Sequence, residues 1–85
     1  MTYELIYSDE ARKQLKKLNK DVQIRIISSI ERIRLRPYAY VKKLVGNPYF
    51  SLRVGHYRVI LDIEENKLLI FVIEVGHRRD IYKKL

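Results

Sequence analysis

Arg53 and Arg58 stand on either side of a Gly55–His56 pair, and His77, Arg78, Arg79 and Tyr82 lie close together near the C-terminus. Guanidiniums bind phosphate through forked N–H donors, imidazole exchanges a proton near neutral pH, and a phenol can donate one. Such a set suits an anionic, phosphate-bearing substrate. No carboxylate cluster that could hold Mg²⁺ accompanies it, because Asp and Glu are scattered through the first helix, the turns and the strands. A Gly-rich phosphate loop, a Ser-His-Asp arrangement and the aromatic pattern of an RNA-recognition sheet are also missing. What remains without metal or cofactor is RNA cleavage by its own 2′-hydroxyl. A base removes that proton, cations stabilise the phosphorane, and an acid protonates the departing 5′-oxygen.

Each residue also has a plainer reading. Surface arginines usually splay into solvent, and Asp62 would screen Arg58. His77 reads equally well as an exposed loop histidine, Tyr82 as a packing residue with a wet hydroxyl, and His56 as a turn residue. The clustering of cations shifts the balance modestly towards a phosphate site.

The elements that must position these groups are legible in the spacing. Tyr3 to Tyr7 alternate as a short strand, and Ser8 can cap a helix with Asp9 and Glu10 in its first turn. Ala11, Leu15 and Leu18 share one side of that helix, while Arg12, Lys13, Lys16, Lys17 and Lys20 cover the others. After a corner at Asn19 to Asp21, Val22, Ile26, Ile30 and Ile33 make a second apolar stripe, widened by Ile27 and ended by Pro37. So short a connection predicts a helical hairpin.

After a loop through Pro37, Gly46 and Pro48 the period switches to two, in "YFSLRV", "GH" and "YRVILDI". A two-residue turn at Gly55 and His56 would set Val54 opposite Tyr57 and Arg53 opposite Arg58. Phe50, Leu52, Val54, Tyr57, Val59, Leu61 and Ile63 then face the helices; Tyr49, Ser51, Arg53, Arg58, Ile60 and Asp62 face away. Glu64 to Lys67 form the next turn, and "LLIFVIEV" reads as a central strand covered on both sides. Gly76 is expected to turn the chain off its end, with Ile81 to Leu85 as a short strand or helix. The expected fold is α+β, one domain over residues 1–85: an N-terminal strand and two-helix hairpin on one face of a mostly antiparallel sheet, the other face partly open.

Lys and Arg number 18 against 10 Asp and Glu, a formal charge of +8, which predisposes so small a domain to phosphate backbones or an acidic partner. There is no cysteine, hence no disulfide or thiolate chemistry. No signal peptide is visible, and no apolar run approaches the ~20 residues that cross a bilayer. A soluble, cytoplasmic protein is expected.

The order strand, basic helix, second helix, "KKLVGNPYFSLRVGHYRVILDI", apolar strand and "VGHRRDIY" resembles the RelE-like toxins of the RelE/ParE toxin–antitoxin superfamily over essentially the whole chain. The most specific parts are "LRVGHYRV" and "VGHRRDIY". The resemblance implies an mRNA interferase that cuts message in the ribosomal A site and is held inactive by an acidic, RelB-like antitoxin, with heterotetramers as the expected assembly. It implies that Arg58 and Arg78 contact the scissile phosphate and that Tyr82 is the C-terminal catalytic tyrosine. Arg53, Arg79, Lys42 and Lys43 are expected to bind RNA. The best-known member has lysines on the first hairpin strand, one of which can be the general base; this chain has Tyr49 and Ser51 there. His77, by its chemistry, becomes the expected proton acceptor, with Lys42 and Lys43 as substitutes if their loop folds towards the site. Two other readings stay open: a ParE-like inhibitor of DNA gyrase, and a nucleic-acid-binding module without catalysis.

Overall fold

A computed structural model describes residues 2–84, with side-chain surroundings given for residues 2–81. Five strands, β1 (Glu4–Tyr7), β2 (Lys42–Lys43), β3 (Phe50–Val54), β4 (Tyr57–Glu64) and β5 (Leu69–His77), form one sheet in the order β1-β5-β4-β3-β2. Only β1 runs parallel to its neighbour, β5; the other pairs are antiparallel. Helices α1 (Asp9–Lys16) and α2 (Lys20–Arg32) follow β1, and α3 (Arg78–Lys84) ends the described chain.

Ser8 begins α1 as the spacing predicts: its Oγ accepts from the Ala11 N–H at 3.0 Å, which satisfies one of the helix's unpaired donors. The same hydroxyl donates to the Ile73 carbonyl at 2.7 Å. That second bond answers a local problem in the sheet. The β4–β5 register passes from Ile60 opposite Glu74 to Leu61 opposite Val72, so Ile73 is the extra residue of a β-bulge. Pairing with β1 ends at Val72, which would leave the rest of β5 with an open edge. Instead α1 supplies the partners. The Ser8 N–H donates to the Val72 carbonyl at 2.9 Å, and Gln14 Oε1 accepts from the Val75 N–H at 2.6 Å.

The core lies between the helices and one sheet face. Ala11, Leu15, Ile26, Ile30 and Ile33 are buried against Leu52, Val54, Val59, Leu61, Ile70, Val72 and Val75. Ile27, expected to widen the stripe of α2, is 39% exposed instead. It sits about 100° around the helix from Ile26, outside the sector that the sheet covers. The hairpin register is the one read from the sequence, with Val54 opposite Tyr57 and Arg53 opposite Arg58. Gly55 takes φ of +60° and His56 is absent from the residues with positive φ, so the turn follows the type II′ pattern, with glycine first.

Two expectations need correcting. The face opposite the helices is less open than its alternation suggests: Ile60 and Ile81 are each 1% exposed there, and Ser51 is buried too. Residue Ile81 belongs to α3, which folds back over the sheet and encloses a small second apolar cluster. Gly76, expected to turn the chain, lies within β5. A Cβ at Gly76 would meet Ile81 Cγ1 at 3.2 Å, so the missing side chain is what lets α3 approach so closely.

Tyr7, half-buried on β1, has its phenol pKa raised from 10.0, first by burial and then by the nearby Glu31 carboxylate. The folded state therefore holds this proton more tightly than the unfolded chain does. Its contribution is complete below pH 10.0 and is lost as pH rises through the higher folded value. Denaturation midpoints measured across the alkaline range should fall above about pH 10, and the fall should be shallower in Tyr7→Phe.

Candidate functional site

Strand alternation builds one cationic surface. Arg53 on β3 and Arg58 on β4 are direct cross-strand neighbours, and like charges so placed repel. Arg53 lies exposed, its Nε pointing to the Gly55 carbonyl at 3.4 Å. Arg58 is half-buried and its Nη1 is sealed from solvent. The next position along is Ser51, which pairs with Lys42. Residues Lys42 and Lys43, expected in a loop, form the two-residue edge strand β2. That strand separates the two lysines. Lys42 shares the face of Ser51, Arg53 and Arg58, whereas Lys43 pairs with Phe50 on the other face. The Lys43 ammonium donates to the Asn47 carbonyl at 2.7 Å and stands 5.6 Å from the Phe50 ring centroid.

Tyr40, Lys42, Lys43, Leu44, Val45, Ser51, Arg53 and Arg58 border a cleft of about 300 Å³. It combines four cationic residues, of which Lys43 turns its ammonium to Asn47 and Phe50, with an exposed phenol, a surface that can grip a phosphate and the ring beside it.

The C-terminal residues are arranged differently from expectation. Register sets Arg58 opposite Gly76 and Tyr57 opposite His77, so His77 falls on the helix side of the sheet, away from Arg58. Its ring meets Tyr57 edge-on at 5.7 Å and borders a cleft with Val22, Arg25 and Ile26 from α2. Its Nδ1 accepts the Arg79 N–H at 3.3 Å, which caps α3. His77, expected to accept a proton for the arginine face, is thus set by the register on the other side of the sheet from Arg58. Arg78 and Arg79 are exposed at the start of α3, where they border a cleft of about 590 Å³ with His56 and His77. Tyr82 lies in α3, and its side chain is outside the described residues.

Residues 5–82 match the sequence family described as the ParE toxin of the type II toxin–antitoxin system parDE. The chain belongs to this toxin family. It is similar to the mRNA interferase toxin RelE of Escherichia coli, 30% identical over 81 residues that cover 92% of this chain and 85% of that one. The toxin of the intact E. coli RelBE toxin–antitoxin complex superposes with a TM-score of 0.74 at 29% identity, over 88% of this chain and 95% of the other. The RelBE2 complex of Mycobacterium tuberculosis matches in fold with a TM-score of 0.84 at 23% identity, covering 92% and 100%. The resemblance to RelE-like toxins read from the sequence is thereby borne out.

For this family member, sequence reasoning missed Tyr40 and the role of β2. A two-residue strand leaves no periodicity to read, and the only available signal was the lysine pair ahead of the hairpin. It also left Arg25 unremarked. That residue lies on α2 with its guanidinium close to the hairpin tip, since Nη1 would be 3.8 Å from a Cβ at Gly55.

Proposed function

We propose that this toxin is a ribosome-dependent mRNA endonuclease that activates the message's own 2′-hydroxyl and is silenced by an acidic antitoxin. The observation that carries the reading is the Arg53–Arg58 pair, with Lys42 on the same face, in a chain related to an mRNA interferase. Two guanidiniums forced together on a sheet gain from a bound phosphate what they lose by repulsion. In the reaction the 2′-hydroxyl gives its proton to water, the 2′-oxygen bonds to phosphorus as the bond to the 5′-oxygen breaks, the departing 5′-oxygen takes up a proton, and charge grows on the non-bridging oxygens. Arg58, half-buried, meets that charge without reorganising. Arg53 shares the load, and Lys42 holds the neighbouring phosphate. These cations take the charge-neutralising part that a metal ion takes in many nucleases. Arg78 and Arg79 extend the cationic track round the sheet end, and Tyr82 keeps the catalytic part that the family pattern gives it.

The antitoxin reading is supported by the relative from E. coli, whose structure is a toxin–antitoxin complex, and by the +8 charge. An acidic chain would cover the same cations that bind RNA.

Purified toxin added to translating ribosomes should cut the message within the A-site codon. Intact message together with blocked gyrase supercoiling would favour gyrase inhibition instead, and neither effect would leave a binding module. The separation of the two lysines makes a finer prediction. Lys42→Ala should lower cleavage by about tenfold or more, the equivalent of one charge-assisted hydrogen bond. Lys43→Ala should stay within about threefold, since an exposed ammonium turned to the other face contributes little.

A further inference from the structure

His56 and His77 present a second feature that phosphate chemistry does not use. Their rings are almost parallel, 9° apart in plane, with centroids 6.3 Å from each other. That distance is too long for direct ring-on-ring contact, and both residues are exposed.

Neither ring is placed by chance. His77 is braced edge-on by Tyr57 and tied through Nδ1 to the Arg79 N–H. The His56 carbonyl accepts the Arg78 N–H at 2.9 Å, which joins the hairpin tip to the start of α3. Both histidines are exposed and share their cleft with Arg78 and Arg79. Apolar Val22, Ile26, Val54 and Tyr57 lie on the inner side.

We propose that a nucleobase of single-stranded RNA, flanking the cleavage step, stacks on the His56–His77 ring pair while its phosphate rests on Arg78 or Arg79. Aromatic faces accept any base, and adjacent cations track the backbone, the combination that binds single strands without reading sequence. The arginine cleft and this ring pair lie on opposite faces of the sheet, so one strand of RNA would pass over the sheet end from one to the other. The inference rests on the RNA reading above and adds a contact which that reading does not need.

The test uses the intact toxin and a short RNA carrying 2-aminopurine, made uncleavable by a 2′-deoxy substitution at the scissile step. Binding and fluorescence quenching are compared among wild type, His56→Ala and His56→Phe. His56 is an exposed turn residue whose backbone bond to Arg78 survives either change. Wild type should quench the probe at one flanking position; His56→Ala should lose that quenching and bind about tenfold more weakly; His56→Phe should restore both. Equal binding and quenching in all three proteins would overturn the stacking contact alone, as would a phenylalanine variant as poor as alanine. A His56→Ala defect confined to antitoxin binding would assign the rings to the protein partner and overturn it too. Wild type that binds the RNA at no position would overturn the contact alone, because the nuclease reading stands or falls on message cleavage in translating ribosomes.

Discussion

Arg58→Ala should lower cleavage of ribosome-bound message by about 10²- to 10³-fold, the loss typical when one preorganised donor to a developing oxyanion is removed. The size follows from where the residue sits. Arg58 lies on the central strand β4, between Arg53 on β3 and Gly76 on β5. One of its terminal nitrogens is sealed from solvent, and that enclosure is what removes the need to reorganise during the reaction. Lysine at this position should recover only part of the rate, because a point charge lacks the planar fork that spans two phosphate oxygens. Arg53→Ala, at an exposed position, should cost less. Single-turnover cleavage of a defined message, with circular dichroism confirming an unchanged fold, measures the series. Equal losses at the two arginines would show that the buried one has no special place.

Leu61→Ala should destabilise the fold by about 3 to 4 kcal/mol. Leu61 is fully buried, paired with Phe50 across β3 and with Val72 beside the bulge in β5. Neighbours tied into a ladder on both sides collapse poorly into the space that a lost isobutyl group leaves, so most of the cavity cost stays. Domains of this size hold only about 5 to 15 kcal/mol in total, which makes one such change a large fraction. Ile27→Ala, at the position the helical stripe overestimated, should cost under about 1 kcal/mol. Urea denaturation with unchanged slopes would show both as midpoint shifts. Comparable losses at the two positions would mean that the buried cluster has been wrongly drawn.

How much of this was legible in the sequence depends on where alternation existed. From Tyr49 to Ile63 polar and apolar residues alternate around a Gly-His turn, so the hairpin register and the Arg53–Arg58 pairing could be read directly. Strand β5 is apolar at nearly every position, and such a run carries no sign of which side chain faces where. The bulge at Ile73 then shifts the two ends of the strand out of phase. His77 was therefore placed beside the arginines, when register puts it on the helix side of the sheet, exposed at the strand end beside Tyr57. The same blindness hid the cover over the second face: Ile60 looked like an exposed apolar residue, and Ile81 like part of a tail, until α3 brought them together. Lys42 was recognised as a cation but not as a member of the face, because only the pairing with Ser51 fixes its side.

If the arginine face directs the message's own 2′-hydroxyl onto phosphorus, cleavage requires that hydroxyl at the scissile step. The direct measurement sets two messages on programmed ribosomes, identical except for a 2′-deoxy nucleotide at the scissile position, and analyses the product ends. The unmodified message should yield a 2′,3′-cyclic phosphate and a 5′-hydroxyl, and the deoxy message should stay intact. Cleavage of the deoxy message at a similar rate would contradict the account, since the attacking oxygen would then have come from elsewhere.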